Sequence, residues 1–196
     1  MAISNRRFYQ LIDLSQRKNA MSVSKLQNFI SAEEIQTRVQ EMAEEISADY
    51  AQRELHLVGV LKGAFIFLAD LTRALTIPSY IYFMRATSYG DRQTSSGVVK
   101  IQHDLNMADK EVIVVEDILD TGLTLQSILE ELERQKPASL KVCALLDKPE
   151  RRKTLIKGDY VGFTIPNEFV VGYGLDYAEL YRNLPFIAKL ENVFPE

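Results

Sequence analysis

Cysteine is almost missing from this sequence. Cys143 is the single one among 196 residues, so no internal disulfide can form and the disulfide framework that holds many small secreted domains is excluded. Histidine is nearly as scarce, with only His56 and His103. A structural zinc site of nitrogen and sulfur ligands would need nearly every candidate to converge, so any metal is expected to be a hard cation held by oxygens. No window approaches the roughly 18 consecutive apolar residues of a membrane-spanning helix. The segment 1–19 carries Arg6, Arg7, Arg17 and Lys18 without a continuous apolar stretch or a small-residue cleavage site. A secretory leader is therefore not expected, and the cytoplasm is the expected location. Basic charge is not in excess either: 23 basic residues face 27 acidic ones, a net charge of -4, so nothing global draws nucleic acid or an anionic membrane surface.

What is present is the composition of a globular protein, 46% hydrophobic and 26% charged, with enough length for one well-buried core and no more than a small appendage beside it. Residues 1–28 are polar and weakly periodic and read as an extension without an assigned role; 29–196 form the main domain. Ser31 and Glu34 have capping-box spacing, and Ile35, Val39, Met42, Ala43 and Ile46 then fall on one helical face. Leu55–Leu61 is an apolar run that ends at Lys62-Gly63-Ala64, followed by a helical pattern over 65–75. Ser79–Arg85 reads as a strand. Glu111–Val115 begins another whose unbroken aliphatics predict burial on both faces and hence parallel pairing. A helix over Leu123–Gln135 and a buried strand over Leu140–Leu146 complete the alternation of an α/β fold with a mainly parallel sheet flanked by helices. Between Ser88 and Asp104 the chain is rich in Ser, Thr, Gly and charge and reads as a long mobile loop, with Val98–Ile101 alone strand-like. The run Arg151-Arg152-Lys153 reads as an ordinary solvated turn, and Cys143, inside a buried strand, as a small core residue. His103 carries no expected catalytic part.

The chemistry concentrates in Val112-Ile113-Val114-Val115-Glu116-Asp117-Ile118-Leu119-Asp120-Thr121-Gly122-Leu123-Thr124, which joins a buried strand to a helix. In open α/β sheets ligands bind beyond the carboxyl ends of the strands, where Glu116 and Asp117 would emerge. Two adjacent carboxylates there could accept hydrogen bonds from a vicinal diol, coordinate a hard cation, or do both. The turn that follows offers the Thr121 and Thr124 hydroxyls, a Gly122 that admits close backbone approach, and free amides at a helix start, the parts of a phosphate cradle. Taken alone, Asp120 or Thr121 could simply cap a helix; the acidic pair behind the buried strand favours the ligand site. The Gly-Lys-Ser/Thr ending of a P-loop and the Gly-x-Gly-x-x-Gly of a dinucleotide site are both absent, so part of a nucleoside monophosphate fits better.

This segment resembles the phosphoribosyl pyrophosphate signature of the type I phosphoribosyltransferases: aliphatics, two acids, two apolar residues, then Asp-Thr-Gly-x-Thr. Three further stretches are similar to its hypoxanthine and hypoxanthine-guanine branch: Val60-Leu61-Lys62-Gly63-Ala64, Leu146-Asp147-Lys148-Pro149 and the segment 165–177, Ile-Pro-Asn-Glu-Phe-Val-Val-Gly-Tyr-Gly-Leu-Asp-Tyr. The resemblance covers about 29–194, with all four motifs in order. It implies a small hood subdomain, formed partly from residues after about 160, over the sheet. It implies transfer of a phosphoribosyl group from phosphoribosyl pyrophosphate to N9 of hypoxanthine, with guanine as a second base, giving IMP or GMP in purine salvage, with Mg2+ as cofactor.

By the same resemblance, Glu116 and Asp117 hold the ribose hydroxyls and organise magnesium together with Asp176. Ile118 belongs to the same substrate-binding stretch, and Asp120, Thr121, Gly122, Leu123 and Thr124 wrap the 5′-phosphate. Asp120 is the implied catalytic residue, handling the proton of purine N7 as N9 attacks. Lys148 donates to the purine 6-oxo group, Phe169 stacks on the ring, and Val170 with Leu175 completes the base site. Lys62 and Gly63 form a pyrophosphate loop with a cis peptide before the lysine, and Arg182 binds pyrophosphate. Ser88 and Tyr89 open a lid that excludes water, and Arg85 reaches toward the same phosphates or a neighbouring subunit. Leu123 departs from the small, polar or basic residue of relatives, leaving the turn to rely on backbone amides and threonine hydroxyls. A homodimer or homotetramer is the implied assembly. The rival readings are a nucleotide-sensing regulator on the same fold that binds RNA or DNA, a transferase for xanthine, and a scaffold without turnover. The retained Asp120, Lys148, Asp176 and Arg182, with no basic footprint, weigh against a regulator, and no nucleic-acid or membrane partner is expected.

Overall fold

The computed structural model describes residues 26–88, 99–102 and 105–190. In chain order the elements are β1 (Leu26–Ile30), α1 (Ala32–Asp49), β2 (Leu55–Leu61), α2 (Phe65–Ala74), β3 (Ser79–Ser88), β4 (Val99–Gln102), β5 (Glu111–Leu119), α3 (Leu123–Glu133), β6 (Ser139–Asp147), β7 (Tyr160–Thr164), β8 (Val170–Val171) and β9 (Ile187–Leu190). A 3-10 turn at Pro149–Arg151 follows β6. Among the described residues no helix is long and apolar enough to cross a membrane.

The capping box at the start of α1 is formed: Glu34 N donates to Ser31 Oγ at 3.2 Å, and Ser31 N donates to Glu34 Oε2 at 2.8 Å. Two otherwise orphaned amides are thereby satisfied, a contribution of about 1 kcal/mol. The helical face read from spacing is the buried one, with Ile35, Val39, Met42, Ala43 and Ile46 all enclosed. On the Val112–Val115 stretch of β5 the period-2 alternation sends Ile113 and Val115 into a cluster with α1 and α2, and Val112 and Val114 into a cluster with α3. Helices cover both faces, which is why the strand carries no alternating polar residues. Each fully buried aliphatic of this kind contributes about 1.5–3 kcal/mol, and trimming Ile113 to alanine would cost about 2–5 kcal/mol.

Six strands form the main sheet in the order β4-β3-β2-β5-β6-β7. All neighbours are parallel except β4, which runs antiparallel along the edge of β3 with Arg85 opposite Gln102 and Ser88 opposite Val99. Parallel pairing brings the carboxyl ends of β2, β5 and β6 to the same end of the sheet. A second sheet, β1-β9-β8, is antiparallel and forms the hood: Lys148, just after β6, donates to the Glu168 carbonyl before β8. The hood departs from the sequence reading at its start. Its first strand begins at Leu26, within the stretch read as an extension, and pairs with 187–190, far away in sequence. Its other two strands, β8 and β9, lie after residue 160, while Tyr160–Thr164 is the edge strand of the main sheet. The strand read over Val98–Ile101 is present as β4, while 89–98 and 103–104, which include Tyr89, most of the expected lid, and His103, lie outside the described residues.

Candidate active site

A cleft of about 470 Å³ opens between the carboxyl ends of β5 and β6 and the hood loop, lined by Ile118, Asp120, Lys148, Arg151, Asn167, Glu168, Phe169, Val170, Leu175 and Asp176. Seven of these are residues singled out from the sequence; Arg151, Asn167 and Glu168 are not. Asp120 directly follows β5, and its Oδ1 accepts from Arg151 Nε at 2.9 Å. Lys148 is only 7% exposed. Its Nζ donates to the Glu168 carbonyl at 2.5 Å, and burial lowers the pKa of the ammonium. An amine with three donor hydrogens keeps capacity for a further acceptor in the cleft. Phe169 is held edge-on by Tyr177, ring centroids 5.7 Å apart, and Val170 and Leu175 are buried behind it.

Glu116 and Asp117 directly precede Ile118 of the cleft on β5 and are half-buried. Burial pushes the Glu116 carboxyl well up, and the neighbouring Asp117 charge adds to the effect; burial likewise pushes Asp117 up to about 6. Glu116 Oε2 is buried without a hydrogen-bond partner among the described residues. Asp117 packs on Gly63 so closely that a Cβ there would overlap its carboxylate, which explains the glycine after Lys62. The Leu61–Lys62 peptide is cis, as expected. Lys62 Nζ bonds both carboxylate oxygens of Glu179 at 3.0 Å, and Arg182 reaches Asp176 at 2.7 Å and the Gly174 carbonyl at 2.7 Å. Asp176 also accepts from Glu179 N at 2.8 Å. Lys62, Glu179, Arg182 and Asp176 thus form one charged cluster beside the cleft. Glu179 was not legible in the sequence, since it joins the group through a tight turn with positive φ at Ala178, Glu179 and Tyr181.

In the turn from Asp120 to Thr124 Gly122 is left-handed, with φ 81, and caps the start of α3. A Cβ at that position would strike Thr154 Oγ1, a buried hydroxyl without a partner. The Thr121 and Thr124 side chains flank the turn, and Leu123 is 50% exposed on it. The N–H groups of Asp120, Thr121 and Gly122 donate to no group among the described residues. A row of free amides ahead of a helix start is an anion site.

A strand-end acidic pair, an Asp-Thr-Gly turn with free amides and a cleft under a hood meet in one place, and comparison with known proteins shows the family. The family described as "Phosphoribosyl transferase domain" matches residues 30–178. The chain belongs to the phosphoribosyltransferase family. A hypoxanthine-guanine phosphoribosyltransferase of Aquifex aeolicus is 49% identical over 171 residues, 86% of this chain and 96% of that one. Among solved structures, a hypoxanthine-guanine phosphoribosyltransferase from Bacillus anthracis matches with TM-score 0.80 and 48% identity, covering 85% of this chain and 99% of that one. A hypoxanthine phosphoribosyltransferase from Staphylococcus aureus matches with TM-score 0.82 and 44% identity, covering 87% and 94%.

One position of this phosphoribosyltransferase departs from expectation. Arg152, read as part of a solvated turn, has its side chain only 13% exposed and is bonded to the turn of Asp120. Arg85 is exposed on β3 opposite Leu61, next to the Lys62 loop. Ser88 is the last residue of β3. Cys143 is fully buried, as read, and burial pushes its thiol well above the ordinary range.

Proposed function

We propose that the protein is a purine salvage transferase that moves the phosphoribosyl group of phosphoribosyl pyrophosphate onto N9 of hypoxanthine, and of guanine as a second base. The observation that carries this reading is the cleft itself, in which a buried lysine donor, an aromatic ring and a carboxylate stand next to a turn of free backbone amides.

The purine lies against Phe169, with its 6-oxo group toward Lys148. Adenine would set its own 6-amino donor against the ammonium, and discrimination follows from that mismatch. The 5′-phosphate sits on the amides of the 120–124 turn, and the ribose hydroxyls reach Glu116 and Asp117. As N9 attacks C1′, the C1′–O bond to pyrophosphate breaks, its electron pair leaves on the pyrophosphate oxygen, and the purine N7 proton passes to Asp120. The Asp120 carboxylate also favours positive charge developing on the ribose. Arg151 holds one oxygen of that carboxylate at 2.9 Å, which leaves the other for the purine. Lys62 and Arg182 are placed for the leaving pyrophosphate, arginine being suited to planar, paired contacts with anions.

A magnesium ion fits the donor set. Glu116 carries an orphaned buried oxygen and its pKa is raised together with that of Asp117, so the pair is short of positive charge. Among the described residues no group of three or more acidic, histidine or cysteine side chains could hold a metal alone, which suits an ion that completes its shell with water and substrate oxygens. Glu116 and Asp117 would hold one ion, and Asp176 would meet a second at the pyrophosphate, whose charge it would screen when bound.

The deciding experiment is nucleotide formation from phosphoribosyl pyrophosphate with hypoxanthine, guanine, xanthine and adenine, each with and without magnesium. Product from hypoxanthine and none from adenine is expected. No product from any base, in folded protein that still bound nucleotide, would move the reading to a regulator on this fold.

A further inference from the structure

Three consecutive carbonyls of the Asp120 turn are tied down by one neighbouring segment, 148–153. Leu119 O accepts from Lys148 N at 3.0 Å and from Arg152 Nη2 at 3.0 Å. Asp120 O accepts from Arg152 Nε at 3.0 Å, and Thr121 O accepts from Lys153 N at 2.9 Å. The rest of the Arg152 guanidinium bonds the Asp147 carboxylate and the Ile156 carbonyl. One side chain therefore joins the turn after β5 to the end of β6, whose next residue is Lys148.

The consequence follows from peptide geometry. In a planar trans peptide the C=O and the N–H of the next residue point in opposite directions. Holding the carbonyls of Leu119, Asp120 and Thr121 toward 148–153 aims the amides of Asp120, Thr121 and Gly122 the other way, and those are the three amides without a partner among the described residues. Leaving such groups unpaired costs free energy unless water or a ligand meets them, so an anchor is needed to hold them outward. The fork of the guanidinium can hold two successive carbonyls and a carboxylate at once; a lysine ammonium at that distance cannot.

We infer that Arg152 is a positioning residue for the phosphoribosyl donor: it sets the phosphate-binding amides of the 120–122 turn and fixes their distance from Lys148. It touches no substrate. The inference rests on the reading of the site as a phosphoribosyl site, and the test separates the two.

The experiment compares wild type with Arg152→Lys and Arg152→Ala. It measures KM for phosphoribosyl pyrophosphate and for hypoxanthine, kcat, the affinity for inosine 5′-monophosphate by calorimetry, and Tm. Arg38→Ala serves as control, because Arg38 is likewise bonded to two backbone carbonyls, of Val161 and Gly162, and neither it nor they line the cleft. Expected for Arg152→Ala is a rise in the donor KM, and a matching loss of inosine monophosphate affinity, of about tenfold to a hundredfold for two or three misaimed hydrogen bonds. The hypoxanthine KM should move much less, Arg152→Lys should fall between, and added guanidinium should restore part of the loss. Arg38→Ala should lower Tm without that split. Donor KM and nucleotide affinity within about twofold of wild type in folded Arg152→Ala would overturn the inference. If that variant does not fold, Arg152→Lys decides: wild-type donor KM there overturns it as well. A wild type that binds inosine monophosphate but makes no nucleotide would remove the transferase reading, and the nucleotide affinities of the variants would still judge Arg152. A wild type that does neither would overturn both.

Discussion

The two ends of the main sheet carry clefts of the same size, about 470 Å³ each, and differ in how their buried polar groups are partnered. At the amino ends of the strands, Arg53, His56, Tyr80, Tyr82, Lys110 and Glu111 are among the residues lining a cleft in which Arg53 pairs with Glu111. Glu111 accepts from Arg53 and Ser139, Asp49 takes Tyr160 Oη at 2.6 Å, and His56 stacks on Tyr80 with centroids 4.7 Å apart. An orphaned atom at that end, His56 Nδ1, belongs to a group that burial keeps neutral. At the carboxyl ends, Glu116 has an unpaired carboxylate oxygen, Asp117 is pushed up to about 6, and three amides have no partner among the described residues. Cavity size therefore does not distinguish the two ends, and unsatisfied polar groups do.

The sharpest way to test this contrast is to remove the carboxylate to which the proposed mechanism gives the proton. Asp120→Asn keeps the shape of the turn and abolishes proton acceptance, so kcat should fall by about a hundredfold to ten-thousandfold while Tm shifts little, since Asp120 is partly exposed. Steady-state kinetics beside a thermal melt checks both halves; kinetics like wild type would take Asp120 out of the reaction. Lys148→Ala comes next. A charge-assisted hydrogen bond is worth about 1.5–3 kcal/mol, so the KM for hypoxanthine should rise by roughly tenfold to a hundredfold, with the donor KM less affected. Unchanged purine affinity would mean that another group reads the 6-oxo position.

How much of this was legible before the fold was known depends on how local each interaction is. The β5 segment could be read because Val112–Val115 must be buried on both faces and the acids that follow must then emerge at the strand end. Ser31 and Glu34 could be read because a capping box is complete within four residues. The hood could not be read in full, because β1 finds its partner some 160 residues away in β9 and neither short strand has a pattern that names the other. Arg152 was misread for the same reason. A basic run after Pro149 looks solvated, and only the return of that loop onto Leu119 and Asp120 buries its second member. The available hint was its place four residues after Lys148, in a loop bound to pass the neighbouring strand end.

A stability measurement can reverse sign between the two ends. Asp117 has a folded pKa raised from 3.8 to about 6, so its contribution is fully present below the unfolded value and is lost as pH rises through the folded one. At pH ~7.5 the unliganded chain bears the cost of an ionised carboxylate next to Glu116. Asp117→Asn should then stabilise it by about 1–3 kcal/mol near neutrality and by little near pH 4, while weakening donor binding. Glu111→Gln at the other end removes a partly exposed partner of Arg53 and should destabilise by about 1 kcal/mol or less. Denaturant melts at the two pH values test the pair, and the same sign for both variants would break the contrast between the ends.

The smallest effect belongs to His56. Burial, helped by nearby Lys110 and opposed by Glu54, lowers its pKa below 6.5. For a base the sign is the reverse of that for Asp117: the unfolded chain binds the extra proton first, so the stability due to a neutral His56 is present above the unfolded value of about 6.5 and is lost as pH falls through the folded one. His56→Phe keeps a flat ring between Tyr80 and Tyr82 and cannot take a proton. The Tm of wild type minus that of the variant should therefore decline between pH ~7.5 and ~5 by a few degrees at most, with groups common to both cancelling in the difference. A flat difference would show that His56 is solvated enough to titrate alike in both states, and the amino-end cleft would then be wetter than its packing indicates.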